Sequence, residues 1–169
     1  MRLFIAINFP ENVKNELERI IGDLRWQGVD ANFSRTENFH LTLAFLGEVE
    51  SDEKIRNIMN MVSKSVTPFR LMLSDYGSFR DIFWVGLAEN KDLSDYVSQL
   101  RKELKKGGFE VDDKKFKPHI TIARRVKNIE KIKINVSQKK FMADRVSLMK
   151  SERINGKLVY TEIFSVSLS

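Results

Sequence analysis

The chain has 169 residues, 42% of them hydrophobic, which is enough for one globular domain with a sizeable core. It has no cysteine, which excludes disulfides and thiolate metal sites, and no apolar run long enough to span a membrane. A net charge of +6 favours a polyanionic partner, and a start without a charged leader and long apolar stretch points to the cytoplasm.

In chain order, Leu3-Phe4-Ile5-Ala6-Ile7 reads as a buried strand. Pro10 suits the first position of a helix whose apolar stripe is Val13, Leu17, Ile20, Ile21 and Leu24. A strand through His40-Leu41-Thr42-Leu43 follows. Ser51-Asp52 is placed to cap a helix striped by Ile55, Ile58, Met59 and Val62. Phe69 to Leu73 alternates as a strand, and Phe83-Trp84-Val85-Gly86 reads as another buried one. Leu93, Tyr96, Val97, Leu100 and Leu104 make a third helical stripe, ended by Gly107-Gly108. After the strand His119-Ile120-Thr121-Ile122, the lysines of Ile129 to Val136 suggest an edge strand or extended loop. Phe141 to Lys150 and Lys157 to Ser167 read as two strands joined by a hairpin turn at Asn155-Gly156.

The two histidines are the only ones in the chain, and each opens the same phrase, His-x-Thr-x-Ala. Side chains alternate faces along a strand, so each phrase puts an imidazole and a hydroxyl on one face. A neutral imidazole accepts a proton, an imidazolium gives one, and a hydroxyl holds a ligand oxygen. Two such units make an acid, a base and two anchors, a sufficient kit for hydrolysing a phosphodiester. With an unperturbed pKa of about 6.5, either histidine can fill either role.

At the 79-residue offset between His40 and His119, the first strand falls on Phe83 to Gly86 and the first helix on the third, with no gap before the motifs. This register predicts an α+β fold: one bilobal, duplicated domain over residues 1–169. Two antiparallel sheets would line a central cleft, with helices on the outer faces. One His-x-Thr would enter the cleft from each lobe, which suits a phosphorus with attacking and leaving oxygens on opposite sides.

Lys114, Lys115, Lys117, Arg124, Arg125 and Lys127 bracket the second motif as a basic rim. Arg124 lies five residues after His119, so plain alternation puts it on the face opposite the imidazole, and it reaches the cleft only at or past the strand end. Phe45 and Tyr76 are candidate platforms for a terminal base, although the core claims most of the twelve phenylalanines and is the favoured place for both. No Gly-rich phosphate loop and no acidic metal cluster occur.

The paired phrases resemble the 2H phosphoesterase superfamily. Arg2 to Ile7, Asn38 to Gly47, Gly77-Ser78-Phe79 with Trp84 to Leu87, and Phe116 to Arg124 are most similar to its RNA 2′,3′-cyclic phosphodiesterases, also called 2′-5′ RNA ligases. The resemblance implies metal-independent hydrolysis of RNA 2′,3′-cyclic phosphate ends, tRNA fragments among them, to 2′-phosphomonoesters, with reversible 2′-5′ ligation as a related step. It implies His40 as the acid that protonates the 3′ oxygen and His119 as the base that activates water. Thr42 and Thr121 would hold non-bridging oxygens, and Arg124 would contact phosphate. No cofactor, no metal, no membrane and no obligate protein partner are implied, and the chain would act as a monomer. The rival readings are a 2H enzyme for a small nucleotide (a cyclic ADP-ribose phosphate or a 2′-5′ oligoadenylate), a non-catalytic RNA- or nucleotide-binding module, and a histidine metal site.

Overall fold

The computed structural model describes all of residues 1–169. Three helices and nine strands follow in the order β1 (Arg2–Ile7), α1 (Glu11–Trp26), β2 (Asn32–Phe33), β3 (Leu41–Glu48), α2 (Glu53–Ser63), β4 (Phe69–Phe79), β5 (Ile82–Leu87), α3 (Lys91–Lys106), β6 (His119–Arg124), β7 (Lys140–Ala143), β8 (Arg145–Ile154) and β9 (Lys157–Ser167). The fold is α+β. Every strand pairing is antiparallel, in one sheet ordered β3-β1-β8-β9 and another ordered β2-β6-β5-β4-β7. No helix is long and apolar enough to cross a membrane.

The 79-residue repeat is present as β1–α1–β3 and β5–α3–β6. In both units the first strand pairs with the motif strand. Its other neighbour comes from elsewhere in the chain: β8, which follows the second unit, pairs with β1, whereas β4, which follows the first motif strand, pairs with β5. The units therefore exchange a strand. One cluster of 40 buried residues draws on all three helices and both sheets. Its helical stripes are those expected, down to Val13, Leu17, Ile20 and Leu24 of α1 at 0% exposure. Each such aliphatic side chain, fully buried, contributes about 1.5–3 kcal/mol.

Several local expectations need correction. Pro10 sits one residue ahead of α1, with extended backbone. Asp52 does not cap α2; its carboxylate accepts from Arg56 instead, at 2.8 Å. Phe141 to Lys150 is not one strand. It breaks at Asp144 into β7 and β8, which belong to different sheets. Ile129 to Val136 is a short 3-10 turn followed by extended loop, not an edge strand. Buried Glu16 holds that loop to α1: its carboxylate accepts from Arg19 at 2.6 and 2.8 Å and from the Ser137 amide at 2.6 Å.

The other turn chemistry behaves as its residues dictate. Asn155 and Gly156 both have positive φ, as a two-residue hairpin of right-twisted strands requires. Gly108 takes the left-handed conformation after α3, and the amides of Gly108 and Phe109 close onto the last carbonyls of the helix.

Candidate active site

Both motifs are set by the same local device. Along β3 the register against β1 slips between Ile5 and Ala6, leaving Leu43 as an extra residue. Along β6 the register against β5 slips between Phe83 and Trp84, leaving Ile122 as the extra residue. Leu43 and Ile122 are equivalent in the repeat. A bulge places two successive residues on one side of a strand and resets the alternation beyond it. Leu43 and Ala44, like Ile122 and Ala123, are therefore all buried. His40, Thr42 and Phe45 then share one face, and His119, Thr121 and Arg124 share the matching face.

The bulge corrects the expectation from alternation. Arg124 is the last residue of β6, at the strand end as expected, and the extra residue at Ile122 turns it onto the imidazole's face. β3 and β6 lie against each other, and the charges of Arg124 and His119 oppose protonation of His40. Phe45 occupies the position in β3 that Arg124 occupies in β6, and it is 64% exposed. The core therefore does not claim Phe45. It does claim Tyr76, which packs against the core with its ring 5.5 Å from that of Phe83.

Each imidazole is oriented by main chain and by aromatic rings. Nδ1 of His40 lies 2.7 Å from the Asn38 carbonyl, and Nδ1 of His119 lies 2.7 Å from the Lys117 carbonyl, two residues back in both cases. A carbonyl can only accept, so Nδ1 carries the hydrogen and Nε2 is left for a ligand. Rings flank both. Phe4 and Tyr160 stand 4.9 and 5.1 Å from His40, and Phe79 and Trp84 stand 5.1 and 6.2 Å from His119. The Lys117 ammonium lies 4.6 Å from the Trp84 ring centre and 5.5 Å from that of Phe79. The indole N–H of Trp84 is the one buried side-chain polar atom without a hydrogen-bond partner.

Burial among Phe4 and Tyr160 pushes the His40 imidazole below its usual value. Hydrogen bonding to Asn38 opposes this, and the charges of Arg124 and His119 add to the lowering. Burial likewise raises the Tyr160 hydroxyl, against the pull of Arg124, Arg2 and Arg153. With only two histidines, imidazole NMR can follow each one. The resonance lost in His40→Ala should titrate below about 6.5 in the free protein. An ordinary value for that resonance would contradict the burial argument. The linkage sign follows: the unfolded chain binds this proton more readily, so His40's contribution to stability is complete above about pH 6.5 and is lost as pH falls through its lowered folded value.

Thr42 and Thr121 are half-buried beside their histidines, on the same faces. No Asp, Glu or further His joins the pair in a group of three that could hold a metal. Sequence reasoning singled out the five polar residues on these strands but not the ring walls. Tyr160 comes from β9, 120 positions beyond His40 and outside any motif, and Phe79 ends β4. Phe79 and Trp84 were visible in the stretches that carry the family resemblance, but not as walls of the site.

A duplicated sheet pair in which two His-x-Thr strands share a site defines the class of the 2H phosphoesterases. The family described as the 2′-5′ RNA ligase superfamily matches residues 9–155. The RNA 2′,3′-cyclic phosphodiesterase of Methanocaldococcus jannaschii is 32% identical, aligned over 96% of this chain and 98% of its own. The Thermotoga maritima protein of the same name is 38% identical over 73% of this chain and 70% of its own. Among solved structures, Escherichia coli LigT in its apo form superimposes with a TM-score of 0.83 at 25% identity, covering 99% of this chain and 97% of that one. The chain belongs to the 2′-5′ RNA ligase superfamily.

Proposed function

We propose that the protein hydrolyses 2′,3′-cyclic phosphate ends of RNA to 2′-phosphomonoesters, without a metal, through His40 and His119. The observation that carries this reading is the matched pair of bulged strands. Each strand presents an imidazole with Nδ1 committed to main chain and Nε2 free, beside a threonine hydroxyl. The names of the Methanocaldococcus and Thermotoga relatives support the substrate class.

In this reading Arg124 and the two threonines hold the non-bridging oxygens. Neutral His119 takes a proton from water as its oxygen bonds to phosphorus. The bond from phosphorus to the 3′ oxygen breaks, and the His40 imidazolium delivers its proton to that oxygen. The phosphate stays on the 2′ oxygen. Burial makes the His40 imidazolium a stronger acid, and the bound phosphate's negative charge favours loading it. A 5′-hydroxyl in place of water gives the 2′-5′ linkage, and the reverse step opens it. Exposed Phe45, on the His40 face, is the platform for the terminal base. The whole of residues 1–169 acts as one bilobal unit, a cytoplasmic monomer, with tRNA fragments among its substrates.

The test is hydrolysis of an oligoribonucleotide ending in a 2′,3′-cyclic phosphate, with the product isomer read by phosphorus NMR. The expected product is the 2′-phosphate, formed equally well in EDTA. Formation of the 3′ isomer, or loss of activity on chelation, refutes the mechanism. Arg124→Ala should raise KM by about 10- to 100-fold, since a hydrogen bond to a charged group contributes about 1.5–3 kcal/mol. It should also move the pH profile, because it removes one of the charges that lower His40. An unchanged KM places Arg124 outside the phosphate site.

A further inference from the structure

A second basic feature lies beside the histidine pair and takes no part in the proposed chemistry. A groove of about 650 Å³ runs between α3 and the loop before β6. Six cations line it: Arg101, Lys102, Lys105 and Lys106 from the helix, and Lys114 and Lys115 from the loop. Two of these are neutralised locally, Lys105 by Asp113 and Lys106 by Glu103. Asp112, the other acid in the groove, accepts from the Lys114 amide at 2.8 Å. The ammonium groups of Lys102, Lys114 and Lys115 have no acidic partner.

The groove is built rather than incidental, and it is joined to both motifs. Arg101 donates from Nε to the Leu43 carbonyl at 3.0 Å, so it is fixed to the bulged residue of the His40 strand. It also donates from Nη1 to the Lys114 carbonyl at 3.1 Å, and its guanidinium lies 5.4 Å from the centre of the Phe116 ring. The loop then runs Lys115-Phe116-Lys117-Pro118 into His119. Four residues of extended chain reach at most about 14 Å, so the backbone of Lys115 lies within that distance of the backbone of His119. On the β8–β9 wall beside His40, Lys150 pairs with Glu152 and Arg145 with Glu162, and Arg153 donates to the Gly156 carbonyl.

We propose that this groove binds the sugar–phosphate backbone of the RNA on the 5′ side of its cyclic-phosphate end. The proposal rests on the reading of the histidine pair as an RNA-end phosphodiesterase, and it names where the rest of the strand lies. A 3′ end held between the histidines leaves one chain to accommodate, and its charges are evenly spaced. Lys117, over the Trp84 ring beside His119, and the unpaired Lys115, Lys114 and Lys102 of the groove offer it a track. Such contacts carry affinity and register but read no base.

The test compares wild type with Lys102→Ala/Lys114→Ala/Lys115→Ala on two ligands. One is a 2′,3′-cyclic mononucleotide, too short to reach the groove. The other is a single strand of about ten nucleotides ending in a 2′-phosphate, whose binding needs no turnover. The triple variant should keep wild-type kcat/KM on the mononucleotide. It should bind the oligonucleotide about tenfold more weakly or worse at low salt, with a log–log salt slope shallower by about 2, three contacts at about 0.7 each. An unchanged oligonucleotide affinity or slope overturns the proposal, as does an equal loss on both ligands. Poly-glutamate binding through the same lysines as tightly as the RNA also overturns it, by making an acidic protein the occupant. A wild type that does not open the cyclic mononucleotide yet binds the oligonucleotide through these lysines refutes the catalytic reading and leaves the groove standing.

Discussion

His40→Ala and His119→Ala are each expected to lower turnover of a 2′,3′-cyclic phosphate by about 10²–10⁴-fold, the contribution of a positioned acid or base. Both imidazoles act on one transition state, so the double variant should be little worse than the poorer single one. Thr42, Thr121 and Arg124 remain in each variant, so binding of a 2′-phosphomonoester should survive. His40 is packed between Phe4 and Tyr160 and is the more buried of the pair in its surroundings, so its truncation should also lower the melting temperature more than that of His119. The wild-type pH profile should fall on both limbs, with apparent values that belong to the pair rather than to either ring. Retained turnover in either single variant would remove the mechanism.

Gly77→Ala is expected to damage stability and rate together, although Gly77 touches no substrate. A Cβ there would lie 2.5 Å from Cζ2 and 2.7 Å from Cη2 of Trp84, closer than atoms pack. Trp84 is only 7% exposed, so its indole cannot swing out cheaply. Overpacking of this kind costs about 1–3 kcal/mol. At this chain length each kcal/mol lowers the melting temperature by about 2–4 °C. The displaced indole is one of the two rings beside His119, and a shift of about 1 Å in a catalytic group can cost about 10²-fold in rate. Trp84→Phe in the Gly77→Ala background should recover part of both losses by removing the outer ring atoms. A Gly77→Ala protein with wild-type melting and kcat would show that the indole does not hold the imidazole.

Much of this was legible in the residues. The repeat of His-x-Thr-x-Ala at 79 positions fixed which strands would correspond, and the helical stripes gave all three buried helix faces. Phe45 was assigned to the core because the core claims most phenylalanines, and Arg124 was brought to the cleft by its strand-end position alone, because period-two alternation was carried through the motif. The correcting signal lay in the sequence: Leu43-Ala44 and Ile122-Ala123 are adjacent apolar pairs at equivalent positions, each breaking the alternation once. Asp52 misled because a carboxylate before a helix can serve Arg56 in the first turn as readily as the free amides. The break at Asp144 was hidden because β7 and β8 continue one apolar pattern into different sheets. The place of the rings around the histidines was beyond reach: Phe79 stood in a family-like stretch without a role, and Tyr160 arrives through tertiary pairing and carries no local signature.

The exchange of β4 and β8 between the two repeats bears on how such a chain could have arisen. Cut between β4 and β5, each half would carry a strand that fits the other's sheet, β4 or β8, while lacking the one its own sheet needs. A half-length ancestor would have completed its sheets only by swapping strands with a second copy of itself. Its single histidine would have met a partner only across that symmetric dimer. Fusing the two genes joins the swapped copies into one polypeptide, and from then on the two histidines are free to diverge. The deeper burial of His40 than of His119 is the kind of asymmetry that a homodimer could not have held.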